Sequence, residues 1–403
     1  MTSRRPAAEQ PAAEQPAAEQ PAFASERHPR PRLGVLDFNP IQYRTPLYQR
    51  LAARGNLDID VLFLTDHGYL AGLDPGFGVP FAWNIDLLAG YRHQFLARTG
   101  RPTGTGTQAR ALNRWVRSQD AVVVYGYVKP WMLLAMAACR YHRVPYLMRG
   151  ESHPRGQSAG LRRHLRSAVA RGVVSASAGG LAIGQLNAEF YRQYGARRVT
   201  FAPYSVDDER FARTPPVGRS ELVARWGLDG SRPVIMFCGK LIPRKRPLDL
   251  VAAVRQLPQE VSTLFVGDGS MAPVVRSSLR PGSGVVTGFV NQAELPSYFH
   301  AADILVLPSE AEPWGLVVNE AMAAGALPVV SDRVGAGPDL VRGIGEVYPC
   351  GDVTSLAAAL GRALAKIGQP GIREKVRRHA ARYSLDATAA AVEQATLAVT
   401  IRN

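Results

Sequence analysis

Long uninterrupted apolar runs are missing from this sequence. No stretch of about 18 uncharged apolar residues occurs, so no membrane-spanning helix is expected. The strongest candidate, 121–139, is broken by Lys129 and Pro130. Arg4 and Arg5 stand near the start with no apolar segment behind them, so no secretory signal is expected either. Cysteine is scarce. Cys139, Cys238 and Cys350 are three in number and far apart, which excludes a disulfide framework and a zinc-ligand spacing. They read as small buried hydrophobes in a reducing, cytoplasmic setting. Acidic residues are few: 33 against 48 basic ones, a net charge of +15. Such a surplus favours an anionic partner or reflects only an arginine-rich codon bias. It does not by itself make a nucleic-acid-binding protein, because no recognition motif and no basic patch interleaved with aromatics accompanies it.

What is present is the composition of a globular protein, 46% hydrophobic and 20% charged. The 403 residues suit two domains better than one core. Residues 1–31 form a low-complexity tail with three AEQPA-like repeats; it cannot bury a core and is expected to be disordered. From Arg32 onward, short apolar runs alternate with helical stretches. Runs at 33–38, 59–64, 121–125, 145–148, 181–184 and 199–202 read as buried strands of a parallel sheet. A break with Thr214, Pro215, Pro216 and Gly218 follows. The alternation then restarts at 234–238, 263–266, 285–287, 304–307, 327–330 and 347–348. The reading is α/β: a domain at 32–208, a linker at 209–231 and a second domain at 232–384. A closing helical segment, 385–403, is able to pack back on the first unit. Doubly wound domains of this kind bind ligands at the carboxyl ends of their strands.

Three segments at such ends carry chemistry. After the run 234–238, Gly239 permits a sharp exit, and Lys240, Arg244, Lys245 and Arg246 follow. Four cations in seven residues suit a diphosphate, or simply a solvated basic turn before a helix opened by Pro247. The second segment is 308–325, PSEAEPWGLVVNEAMAAG. A loop holds Glu310, Glu312 and Trp314. Gly315 precedes a helix whose first amides, near Leu316 and Val317, attract phosphate or sugar hydroxyls. Glu312 in the loop and Glu320 in the helix suit paired hydroxyls of one extended ligand, or merely complement the helix dipole. The third, 331–338 (SDRVGAGP), has glycines that allow a close backbone approach or a turn.

Together these segments resemble the C-terminal domain of the retaining glycosyltransferases of family 4, the group 1 glycosyltransferases of GT-B fold. Glu312 and Glu320 look like that family's E-x7-E motif, and Lys240 and Lys245 like its paired phosphate-binding cations. Lys240 stands where arginine is more usual, which keeps charge but loses the bidentate fork. The resemblance covers about 200–385 well and 32–200 loosely. It implies a nucleoside-diphosphate sugar donor, UDP-linked first and GDP-linked second, and a hydroxyl acceptor. It implies that Glu320 holds the ribose hydroxyls and Glu312 meets the donor sugar. Amides around Gly315, Leu316 and Val317 would touch sugar and diphosphate, with Trp314 beside them. Phe289 and Val290 would offer backbone groups to the base. No metal and no cofactor are implied. An epimerase or a phosphorylase on the same fold is the competing reading.

The first unit departs from the commoner pattern. Residues 37–44 read DFNPIQYR, without the glycine-rich loop of many relatives; Asn39, Gln42 and Arg44 are the polar candidates on the acceptor side. Where many relatives place a histidine, the residues are Arg149, Gly150, Glu151, Ser152 and His153. Arg149 and Glu151 are expected to face the cleft as catalytic candidates, with His153 a substitute; the other reading is a surface ion pair. Between Arg140 and Gly172, eight arginines face one acid. A basic helix near 161–171 would lean on an anionic membrane or a phosphorylated lipid carrier at the inner membrane face, or is a solvated helix.

Overall fold

The computed structural model describes residues 30–66, 72–73, 80–81, 84–98, 106–154 and 161–400. The expectation of disorder up to residue 29 lies outside them. Among the described residues, fifteen strands follow in chain order: β1 Arg32–Asp37, β2 Asp58–Phe63, β3 Gly72–Leu73, β4 Pro80–Phe81, β5 Arg92–Phe95, β6 Ala121–Tyr125, β7 Tyr146–Arg149, β8 Gly179–Ala182, β9 Val199–Phe201, β10 Val234–Cys238, β11 Ser262–Val266, β12 Gly284–Val286, β13 Ile304–Leu307, β14 Leu327–Ser331 and β15 Glu346–Tyr348. They build two parallel sheets and one short antiparallel pair, β3–β4.

The first sheet has the order β5-β2-β1-β6-β7-β8-β9 and the second β12-β11-β10-β13-β14-β15. Both reverse direction once, between β1 and β6 and between β10 and β13. That is the switch point at which doubly wound sheets open a crevice. The fold is α/β with two Rossmann-like domains.

Continuous apolar strands make each sheet two-faced. In the first, Leu36, Leu62, Val122 and Val124 belong to one hydrophobic cluster, while Leu33, Val35, Ile59, Val61 and Val123 belong to the other. That alternation is the period of two of a pleated strand covered on both sides. The second sheet and its helices share one large cluster running from Ile183 to Ala380, so Ile183, Tyr204 and Val206 of the first domain join the second core.

Three features of the fold go beyond the strand pattern. Strand β5 (RHQF) alternates exposed and half-buried residues and lacks an apolar run. It is an edge strand, held by the β2 ladder and by the Phe95 ring stacked on Phe63 at 5.6 Å. The stretch expected as a linker holds two helices, Asp208–Ala212 and Arg219–Arg225, whose Phe211, Leu222 and Val223 enter the second core. The last helix, Leu385–Thr400, sends Leu385, Ala389, Val392 and Ala395 into the first core beside Leu33 and Leu47. Their spacing of four, three and three residues puts them on one face. Glu393 pairs with Arg54 at 2.8 Å, and Thr388 donates to the carbonyl of Pro203 at 2.8 Å. The two chain crossings between domains are tied together, because the Leu385 amide donates to Asp208 Oδ1 at 2.9 Å.

Candidate functional site

The carboxyl ends of β10 and β13 sit at the switch point of the second sheet, and the site is assembled there. After β10 the backbone of Gly239 takes φ 143°, and Gly267, at the end of β11, takes φ 137°. A Cβ on Gly267 would lie 2.0 Å from the Gly239 carbonyl oxygen, so only glycine lets these loops approach. Beyond β13, the loop carrying Glu310 and Glu312 is stitched to the basic loop. The Glu310 amide donates to the Arg244 carbonyl at 3.0 Å, the Arg244 guanidinium donates to the Ala311 carbonyl, and the Lys245 ammonium donates to Glu312 Oε2. Ser309 Oγ also donates to Glu312 Oε2, at 3.3 Å.

Gly315 has φ 99° and precedes the helix Leu316–Ala323 with no side-chain cap. The first amides of that helix therefore lie at the wall of the cleft, where a helix N-terminus favours an anion. One turn on, Glu320 is only 2% exposed. Burial pushes its carboxyl up to about 8, with Arg210 opposing the shift. A carboxyl held above neutrality by burial, inside a cleft, is a candidate functional group.

These residues line one cavity of about 510 Å³. It brings together Gly239, Lys240, Lys245, Phe289, Val290 and Glu312, and with them Trp314, Gly315, Leu316, Val317 and Glu320. Gln42 and Glu151 of the first domain close it from the other side. Trp314 is almost fully buried: its indole donates to Asn319 Oδ1 at 2.9 Å, and its ring packs 6.2 Å from that of Tyr204.

The remaining first-domain candidates are placed differently. Arg44 is paired with buried Asp37, which also accepts from the Tyr48 hydroxyl at 2.8 Å. Arg44 and Arg149 line a small side cavity of about 220 Å³ with Tyr125, Glu151 and Tyr204. Arg149 is 3% exposed and is no surface ion. Its guanidinium donates to the carbonyls of Ala202 at 2.8 Å and Pro203 at 3.1 Å. Glu151 accepts from the Tyr204 hydroxyl at 2.7 Å. His153 lines a separate, larger cavity, and Asn39 lines none of these three. Among the described residues, no group of three or more His, Cys, Asp or Glu is arranged to hold a metal ion, and no helix is long and apolar enough to cross a membrane.

The cleft also contains residues that sequence reasoning passed over. Tyr43 reaches from the first domain into this same cavity of about 510 Å³, where burial and neighbouring Glu320 hold its hydroxyl well above the ordinary value. Tyr204 spans the domains, bonded to Glu151 through its hydroxyl and to Asn319 Nδ2 through its carbonyl at 2.9 Å. Arg210 is fixed by donating to the backbone and side-chain oxygens of Gln292, the latter at 2.9 Å. Polar residues scattered in loops carry no period, so nothing in the sequence separates them from surface residues.

Two doubly wound domains meeting at a cleft lined with phosphate-suited amides and cations define the GT-B class. Residues 232–366 match the family described as Glycosyl transferases group 1. Among curated proteins, the chain is 37% identical over 162 residues to a D-inositol 3-phosphate glycosyltransferase of Xylanimonas cellulosilytica, covering 36% of this chain and 38% of that one. It is 33% identical over 162 residues to the GDP-mannose-dependent alpha-(1-6)-phosphatidylinositol monomannoside mannosyltransferase of Mycobacterium tuberculosis, covering 36% and 41%. The match thus spans about two fifths of the length of each. Among solved structures, Anabaena Alr3699/HepE in complex with UDP superposes with a TM-score of 0.70 at 16% identity, over 90% of this chain and 98% of that one. This last likeness is one of fold.

Proposed function

We propose that the chain is a retaining glycosyltransferase that moves a hexose-type sugar from a nucleoside diphosphate to an acceptor hydroxyl. The observation that carries the reading is the single cavity shared by Lys245, Glu312, the Gly315 helix start and Glu320. An extended sugar nucleotide has three parts, and this cavity offers a matching group to each. Glu320 accepts from the ribose hydroxyls once it ionises. Lys240, Lys245 and the amides at the start of the Leu316 helix receive the diphosphate. Glu312 meets hydroxyls of the donor sugar.

In the reaction, the bond from the anomeric carbon to the diphosphate oxygen breaks, and its electron pair leaves with the nucleoside diphosphate. Cations and amides already in place stabilise the charge that develops there, the kind of preorganised electrostatics that supplies much of an enzyme's acceleration. The acceptor oxygen bonds to the anomeric carbon on the same face, and its proton passes to the departing diphosphate oxygen. In this reading Lys240 and Lys245 supply the positive charge that a divalent cation supplies elsewhere.

For the donor, UDP-linked sugars come first and GDP-linked sugars second. A GT-B structure of similar fold was crystallised with UDP, and a curated relative is described as GDP-mannose-dependent. A thermal-shift screen of UDP-, GDP- and ADP-sugars tests the reading, followed by transfer assays of Glu320→Ala and Lys245→Ala. Both variants should stay folded and lose most transfer. Wild-type activity in both would end the assignment.

A further inference from the structure

Beside the donor cavity lies a larger one, of about 750 Å³, between the first domain and the loops 310–313 and 332–335. Glu151 and Glu312 belong to the walls of both, so the two cavities meet at these carboxylates. The first-domain wall is apolar and aromatic. The rings of Tyr127 and Phe190 stack at 6.2 Å, with Phe190 4.7 Å from Tyr194, and Leu133 and Leu186 complete the surface. At the rim, Val128 and Leu165 are 78% and 68% exposed, large apolar side chains left in water by the fold of this chain.

The charge around the cavity does not follow that of the chain. The protein carries +15, yet among the described lining residues two arginines, Arg166 and Arg333, accompany four carboxylates, Glu151, Glu310, Glu312 and Asp332, three of which pair with Arg246, Lys245 and Arg333. With its carboxylates matched by these cations, the described lining offers a phosphate no surplus positive charge. A neutral apolar body would instead gain by leaving water against the aromatic wall.

We infer that this cavity receives the acceptor, and that the acceptor is an uncharged small molecule with an apolar, ring-bearing body. Its hydroxyl lies at the junction of Glu151 and Glu312, where it meets the anomeric carbon of the donor. The inference rests on the donor reading above and narrows its acceptor to a chemical class. It also sets aside the phosphorylated lipid carrier considered for the basic helix, because the cations among the described lining residues are matched by carboxylates.

Binding to each cavity is read separately on the full chain. 1-Naphthol, followed by its fluorescence, probes the apolar cavity; D-inositol 3-phosphate probes the phosphorylated alternative; UDP and GDP, followed by calorimetry, probe the donor cavity. Wild type should bind 1-naphthol and not D-inositol 3-phosphate. Leu165→Glu and Val128→Glu alter exposed positions, so folding is preserved. Each should weaken 1-naphthol binding by about tenfold, the scale of one apolar side chain's burial, and leave nucleotide binding unchanged. Binding of D-inositol 3-phosphate, or 1-naphthol affinity unaltered in both variants, overturns the inference. Nucleotide binding without any 1-naphthol binding overturns it while the donor reading stands. 1-Naphthol binding without binding of either nucleotide sinks the function proposed above.

Discussion

Lys245 and Glu312, 67 residues apart, are partners: the ammonium of one donates to the carboxylate of the other at the centre of the donor-side cavity. In the nucleotide-free chain each masks the other's charge. On the function proposed above, a diphosphate would draw Lys245 away from Glu312 and release Glu312 toward sugar hydroxyls.

That exchange predicts opposite effects for the two partners. Lys245→Ala removes a charge-assisted contact worth roughly 1.5–3 kcal/mol, so the affinity for UDP or GDP should fall about tenfold to a hundredfold. Glu312→Gln removes the competitor for Lys245. Nucleotide binding should stay equal or tighten while sugar transfer is lost. Calorimetric titration of both variants, alongside a transfer assay, checks the pair; weaker nucleotide binding in Glu312→Gln would contradict the exchange.

Glu320 predicts a proton release. With its pKa raised to about 8, it is mostly protonated at pH 7 in the empty cleft. On the function proposed above Glu320 accepts two ribose hydroxyls as a carboxylate, so binding should lower the pKa and shed the proton. Affinity for a nucleotide should rise as pH goes from 6 to 8 and level off above. Calorimetry at pH 7 in buffers of different ionisation enthalpy should report the released proton, and Glu320→Gln should abolish both effects.

The same carboxyl sets a stability trend in the free protein. Its folded pKa lies above the ordinary value of 4.5, so the folded state holds the proton more tightly than the unfolded chain. This group's contribution therefore declines as pH rises from about 4.5 to about 8, by at most ~1.4 kcal/mol per pH unit. Urea denaturation at pH 6 and pH 8.5 should show that decline relative to Glu320→Gln, in which it is absent.

The facing of the two domains depends on a close contact at Gly184. A Cβ there would lie 2.3 Å from the Trp314 ring and 2.9 Å from Asp339 Oδ2. Both oxygens of Asp339 accept from the Gln185 amide at 3.1 Å, so a carboxylate of the second domain completes the start of the helix Gln185–Gln193 in the first. Gly184→Val should push the domains apart without unfolding either. Small-angle scattering should give a larger radius of gyration, and transfer should fall with little change in secondary structure by circular dichroism.

The final helix belongs energetically to the first sheet. Leu385→Ala should cost roughly 2–4 kcal/mol, the usual range for a buried leucine. Differential scanning calorimetry should show the loss in the unfolding of the first domain, although Leu385 follows the second in sequence.

The sequence by itself determined the α/β class and most of the strands, because buried parallel strands must be apolar throughout, and such runs as 121–125 and 304–307 are visible without coordinates. It also singled out the spacing of Glu312 and Glu320 and the cations around Lys245, since a strand end, a glycine and a helix start are local features. Edge strand β5 was invisible because an edge has no need of an apolar run. Only the tertiary structure decided that Lys245 is held by Glu312, that Tyr43, Tyr204 and Arg210 join the cleft, and that the last helix completes the first core rather than the second. Those relationships cross tens or hundreds of residues. They follow from how two separately closed sheets face each other, and no periodicity along the chain encodes that.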